Sequence, residues 1–153
     1  MDVIAPLVAA VALHPCTAAQ LRVRENSSTG AAGTIALSVT LRNTGAACTL
    51  RGFAGLQLRN ARGPLPTTVV RGGPLAFLKR VVRTVTLARG GRATILLAYN
   101  HIPSGTTPCP TATMLRVRPP GSGGWLNLRL RLDPCRRGRI YETPVLPGVI
   151  RAP

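Results

Sequence analysis

Four cysteines, at positions 16, 48, 109 and 135, are the residues of this chain best equipped for chemistry. A thiolate can attack a substrate, ligate a metal or oxidise to a disulfide, and spacing separates these uses. No pair here stands at Cys-x-x-Cys spacing, and only His14 and His101 could join the cysteines on a metal. Close-spaced ligand pairs are what organise a tetrahedral zinc site, so the pattern points away from metal. An even number at wide intervals fits disulfides, which persist in oxidising compartments. Four cysteines allow three pairings. The expected one is Cys16–Cys48 with Cys109–Cys135, because it closes two loops of similar, moderate length. Cysteines held in this way cannot act as nucleophiles.

The other ingredients of catalysis are sparse. General acid–base work needs paired titratable groups, and the four carboxylates, Asp2, Glu25, Asp133 and Glu142, are scattered along the chain. His14 adjoins the first cysteine's neighbour Pro15, and His101 opens a proline-rich stretch, so both read as loop residues. The glycine pairs link strand to strand rather than strand to helix, so they form neither a phosphate-cradling loop nor a nucleophile elbow. The expectation is a non-catalytic protein with no cofactor and no metal site.

Charge points towards partners instead. Twenty basic residues face four acidic ones, a formal net charge of +16 that attracts polyanions. All the basic residues except Lys79 are Arg. Arg, Ala, Gly and Pro share G- and C-rich codons, so genomic base composition with solvated strand faces is the favoured source of the excess, and a selected polyanion surface is the alternative. The arginines are dispersed along the chain, as on solvated strand faces. They converge in one place, a C-terminal hairpin where Arg116, Arg118, Arg129 and Arg131 form a candidate anion-binding stripe beside Trp125. Arg136, Arg137 and Arg139 are expected to extend it. The favoured reading is a non-catalytic envelope or extracellular interaction or structural domain whose partner the sequence does not name. In the alternative, polyanion-binding reading, envelope polymers or lipid headgroups are the expected partners. Nucleic acid is disfavoured by export and by the single Trp, since single-strand binders stack several bases on aromatics.

The elements that position these residues are strands. Ile35, Leu37, Val39 and Leu41 alternate with polar or small side chains until Asn43-Thr44-Gly45 turns the chain, the signature of a half-buried strand. Leu21 and Val23 alternate with Arg22 and Arg24 before it, and Leu56 with Leu58 after it. The alternation returns at Arg83–Ala88 and continues into Ala93–Asn100 after Arg89-Gly90-Gly91. The proline-broken stretch from Pro64 to Lys79 reads as an edge strand around Thr67–Arg71 plus a long loop. In the C-terminal hairpin the turn Pro119–Gly124 sets Arg118 opposite Trp125, Arg116 opposite Asn127 and Met114 opposite Arg129. No window holds a three-four apolar spacing, so no helix beyond a turn or two is expected. Aromatic residues number five, so the core must be aliphatic. The expected fold is all-β: an immunoglobulin-like, two-sheet antiparallel sandwich of about seven to nine strands.

Along the chain, residues 1–14 carry the apolar run Val3–Leu13, too short to span a bilayer and broken by Pro6. It resembles the apolar region of a signal peptide, although no Lys or Arg precedes it. Residues 15–146 read as one domain and 147–153 as a C-terminal tail. Secretion or attachment to the cell envelope is expected, without a transmembrane span. The loops Pro64–Lys79 and Ile102–Pro110 are the further candidates for function.

The run LSVTLRNTGAACTLRGFAGLQL (37–58), the segment VTLARGGRA (85–93) and the succession Cys109, Leu115-Arg116-Val117, Pro119-Pro120-Gly121, Cys135 resemble a secreted bacterial domain-of-unknown-function family, numbered 4232. That family occurs mostly in actinobacterial exported proteins and lipoproteins. The resemblance spans about residues 15–146 and implies a β-sandwich, export and paired cysteines. It brings no activity, cofactor or binding residue. Two positions depart from its pattern: Phe53-Ala54 stands where members usually have Tyr-Pro, and Arg89 where they often have Pro.

Overall fold

A computed structural model describes residues 3–6 and 12–153. The segment read as a leader therefore falls partly outside the described residues; within it, Val3 and Ile4 are exposed. The described residues hold twelve strand segments: β1 (Leu21–Ala31), β2 (Thr34–Asn43), β3 (Cys48–Arg51), β4 (Gly55–Asn60), β5 (Gly63–Pro64), β6 (Thr68–Arg71), β7 (Thr84–Leu87), β8 (Arg92–Asn100), β9 (Ala112–Arg118), β10 (Leu126–Leu132), β11 (Arg139–Glu142) and β12 (Leu146–Pro147). This exceeds the expected seven to nine, partly because β5 and β12 are two-residue pairings. One sheet runs β1-β2-β8-β11-β6, with β12 also on β8; the other runs β10-β9-β4-β5, and β3 pairs with β7 in a separate ribbon. The inward side chains of all three build one aliphatic core, with Leu37, Val39 and Leu41 from β2, Leu50 from β3, Leu58 from β4 and Leu115 from β9.

Both expected disulfides are present, Cys16–Cys48 and Cys109–Cys135. The first anchors the chain before β1 to the start of β3, where Cys16 N–H also donates to the Thr49 carbonyl at 2.8 Å. The hairpin has the expected register, Asn127 opposite Arg116 and Arg129 opposite Met114. Strand β6 is an edge strand as read, but it pairs with β11 in parallel rather than antiparallel. Parallel pairing needs a long crossover, and the chain between the two strands passes through β7, β8, β9 and β10.

Strand β8 is buried on both faces, from Ala93 to Tyr99. The core covers one face, and the C-terminal residues cover part of the other. After β12 the chain turns at Gly148 (φ 78°) and crosses the sheet on a ladder of side-chain hydroxyls. Thr94 Oγ1 on β8 donates to the Gly148 carbonyl (2.7 Å) and accepts from Ile150 N–H (3.0 Å). Ser38 Oγ on β2 donates to the Ile150 carbonyl. Ala152 N–H donates to Ser27 Oγ on β1 at 2.7 Å. The stretch 147–153, read as a tail, is thus a strap across three strands. It explains why the outward-facing Ser38 and Thr94 are fully buried.

The core contains one carboxyl. Glu142 pairs with Leu97 on one side and Arg71 on the other, and it is fully buried. Neither carboxyl oxygen has a hydrogen-bond partner. Burial pushes this group up to about 8 from its ordinary 4.5, with the Arg71 charge pulling it back down. Between pH 4.5 and about 8 the unfolded chain releases this proton while the folded chain keeps it, so stability falls as pH rises across that window. Glu142→Gln removes the ionisation. It should raise stability at pH 8 by on the order of 2–3 kcal/mol while changing little at pH 4.5, as read by urea unfolding at the two pH values. Equal effects at both would show that Glu142 ionises freely in the fold.

Candidate functional site

The hairpin gives the stripe its geometry. Outward positions of β9 and β10 alternate with the buried Val117, Leu115 and Leu128, so Arg116 and Arg118 share the outer face with Trp125. Their guanidinium carbons lie 4.8 and 5.0 Å from the indole centroid, one arginine on each contact. Across the sheet, Gly55 of β4 is opposite Arg118, and a Cβ there would come within 3.2 Å of Arg118 Nε. The bare glycine leaves room for Arg118 to lie along the sheet. Each exposed cation–π contact is worth about 0.5–1 kcal/mol, so Arg118→Ala should lower stability by about that much. Trp125 is the only tryptophan, so its fluorescence should shift to longer wavelength in the variant. An unshifted spectrum would mean that the stack does not form.

The remaining stripe residues separate. Arg129 faces Met114, which Arg59 of β4 flanks from the other side; Arg59 was not among the sequence candidates. Between Arg129 and Leu132 the register shifts, and exposed Arg131 lies on that irregularity. Arg136 and Arg137 do not continue the stripe. Both adopt left-handed backbone (φ 55° and 59°) in the turn Cys135–Gly138 and line a different cleft, of about 610 Å³. That cleft is walled by the Ile102–Pro110 connection, with Ile102, Pro103 and Pro108, and by the Cys109–Cys135 disulfide. The long connection singled out in the sequence therefore borders an apolar hollow with two arginines at its rim.

A second arginine group stands on the other sheet, where Arg22, Arg42 and Arg92 are cross-strand neighbours. Sequence alternation marks each as outward-facing. Their juxtaposition depends on the register of strands distant in sequence, and no local signal gives it.

The carboxylates and imidazoles are placed away from these surfaces. Among the described residues, the lining of five clefts includes no Asp, Glu or His. Tyr99 lines the smallest of the five, where burial, and secondarily the Asp133 charge, pushes its phenol up to about 12. It stays protonated at neutral pH. No group of three or more His, Cys, Asp or Glu side chains among the described residues is disposed to hold a metal ion.

The family described as Domain of unknown function (DUF4232) matches residues 16–145. The chain belongs to that family. No curated protein and no solved structure shows a significant match. The DUF4232 match begins at Cys16 and stops before β12, so it takes in both disulfides and every strand through β11. The strap lies beyond it. In this DUF4232 domain the hairpin stack and the hollow beside Cys109–Cys135 fall inside the matched region, whereas the second arginine cleft borrows Val149 from outside it.

Proposed function

We propose that this DUF4232 domain is a non-catalytic, exported interaction module of the cell envelope or extracellular space. The observation that carries the reading is the character of its clefts: arginine recurs among apolar and neutral polar side chains, and no carboxylate or imidazole lines the five. Such surfaces are equipped to bind anionic or amphiphilic partners more than to run paired carboxylate or imidazole chemistry. Two disulfides support an oxidising compartment. Among the described residues no helix is long and apolar enough to cross a membrane.

The alternative of a polyanion-binding module built on the hairpin draws less support, because Arg116 and Arg118 are engaged with Trp125 in a packing role. Two measurements test the main reading. Thiol titration of denatured, unreduced protein from its native cells should find no free thiols; four free thiols would exclude export through an oxidising compartment. Purified domain should co-sediment with an isolated envelope fraction, and complete recovery in the supernatant would count against an interaction role there.

A further inference from the structure

Three arginines stand side by side on the outer face of the larger sheet. Arg22 of β1 is the direct partner of Arg42 in β2, and Arg42 that of Arg92 in β8. Directly opposed side chains on neighbouring strands have Cβ atoms about 4.5–5.5 Å apart, and like charges in that register repel. In the next row Arg24 stands opposite Thr40. Arg22, Arg24, Thr40, Arg42 and Arg92 all line a single cleft of about 450 Å³, closed on one side by Val149 of the strap, and no carboxylate lines it.

The floor of this cleft holds an unmade hydrogen bond. Thr40 is 4 % exposed, and its Oγ1 is buried without a partner. Its row neighbour Thr94 uses its hydroxyl on the strap, so the strap satisfies one threonine and leaves the other unbonded beneath the cleft. At the rim, Arg22 Nη1 donates to the Ala19 and Leu21 carbonyls at 3.1 and 3.0 Å. That fixes the Arg22 guanidinium and leaves its other N–H groups available, since arginine carries five. One bound anion would relieve both the mutual repulsion of the arginines and the unbonded hydroxyl beneath them.

The shape restricts the anion. Four arginines line one compact hollow rather than tracking a groove, which suits a small, multiply charged group more than a linear polymer. Guanidinium forks match the tetrahedral edges of phosphate and bind it bidentately. We propose that the cleft of Arg22, Arg24, Arg42, Arg92 and Thr40 binds a phosphate-class oxyanion carrying at least two negative charges, with the Thr40 hydroxyl donating from below. The group is either a free phosphate or pyrophosphate or the phosphate of a lipid headgroup. This deepens the interaction reading and rests on it, and it uses a surface separate from the hairpin.

The test uses the whole chain with sodium pyrophosphate as probe, by titration calorimetry and thermal unfolding, against sodium chloride at matched ionic strength. Pyrophosphate should bind and raise the unfolding temperature beyond the chloride control. Arg42→Gln should weaken that binding by at least about tenfold, the loss of one charge-assisted bidentate contact, while raising the unfolding temperature of the free protein. Thr40→Val should move both readouts in the same directions, and Arg118→Ala should leave pyrophosphate affinity unchanged. The opposite signs of the two effects separate a lost site from a damaged fold. No binding beyond chloride, or equal affinity in Arg42→Gln, would overturn the proposal. If the envelope fraction still retained the protein in that case, the interaction reading would survive without this site. Where pyrophosphate binds, phosphatidylcholine vesicles with and without phosphatidic acid distinguish the sources. Arg42-dependent retention on the acidic vesicles assigns a lipid headgroup, and its absence assigns a free ion.

Discussion

Replacing Gly138 by alanine is expected to lower the stability of the domain by roughly 4 kcal/mol, among the larger effects a single methyl group can have. Gly138 closes the turn that carries the chain from β10 into β11, and its backbone is left-handed (φ 67°). A Cβ built there would overlap the Pro66 carbonyl oxygen and stand 3.0 Å from Leu58 Cδ1. The carbonyl belongs to the backbone leading into β6, so relief requires moving the parallel β6–β11 pair. Arg136 and Arg137 hold similar left-handed angles just before it, and each carries the strain of roughly 1–2 kcal/mol that a side chain imposes there. Gly90 supplies the control. Its φ is 81°, but nothing lies within 4 Å of its missing Cβ, so Gly90→Ala should cost only about 1 kcal/mol. Equal urea midpoints for the two variants would show that the turn yields and that the packing against Pro66 is loose.

Removing the disulfides should have the next largest effect. Cys16–Cys48 joins residues 32 apart in sequence, and Cys109–Cys135 residues 26 apart. Loop-closure entropy at these lengths gives about 3–4 kcal/mol for each. For a chain of this size, the paired Cys→Ala replacement of either bridge should lower the melting temperature by about 10 °C. The two differ in what else they hold. Cys16 and Cys48 are sealed in the core, whereas Cys109 and Cys135 form one wall of the hollow lined by Arg136 and Arg137. Loss of the second should therefore open that hollow as well as destabilise the fold. A loss below about 1 kcal/mol for either pair would mean that packing alone constrains those segments.

The sequence made some of this visible and hid the rest for identifiable reasons. Alternation correctly marked Leu37, Val39 and Leu41 as core, because a half-buried strand enforces period two. It could not show that Ser38 between them is buried too, since its cover comes from a segment more than 100 residues away and leaves no local period. Side-chain sidedness was enough to register Arg116 against Asn127, because a one-residue slip would invert the strand. The same reasoning placed an edge strand near Thr67–Arg71 but could not orient it, as parallel and antiparallel neighbours bury the same faces. Among candidate site residues, Arg118 meets Trp125 as the hairpin implied, and Arg116, placed by sequence opposite Asn127, reaches the same ring. Arg22, Arg42 and Arg92 form a row only because three strands align, a long-range fact that residue types alone do not encode.

The C-terminal strap has a consequence for how the domain opens. It is fastened chiefly by hydroxyl-to-backbone bonds, and Val149 at its middle remains 49 % exposed. With so little apolar surface sealing it, the strap is expected to open as a unit at lower cost than global unfolding. Amide exchange at Ile150 and Ala152 should accordingly proceed together and faster than along β8, even though all three lie against the same sheet. Since Val149 also walls the arginine cleft, each such opening widens that hollow without disturbing the aliphatic interior beneath.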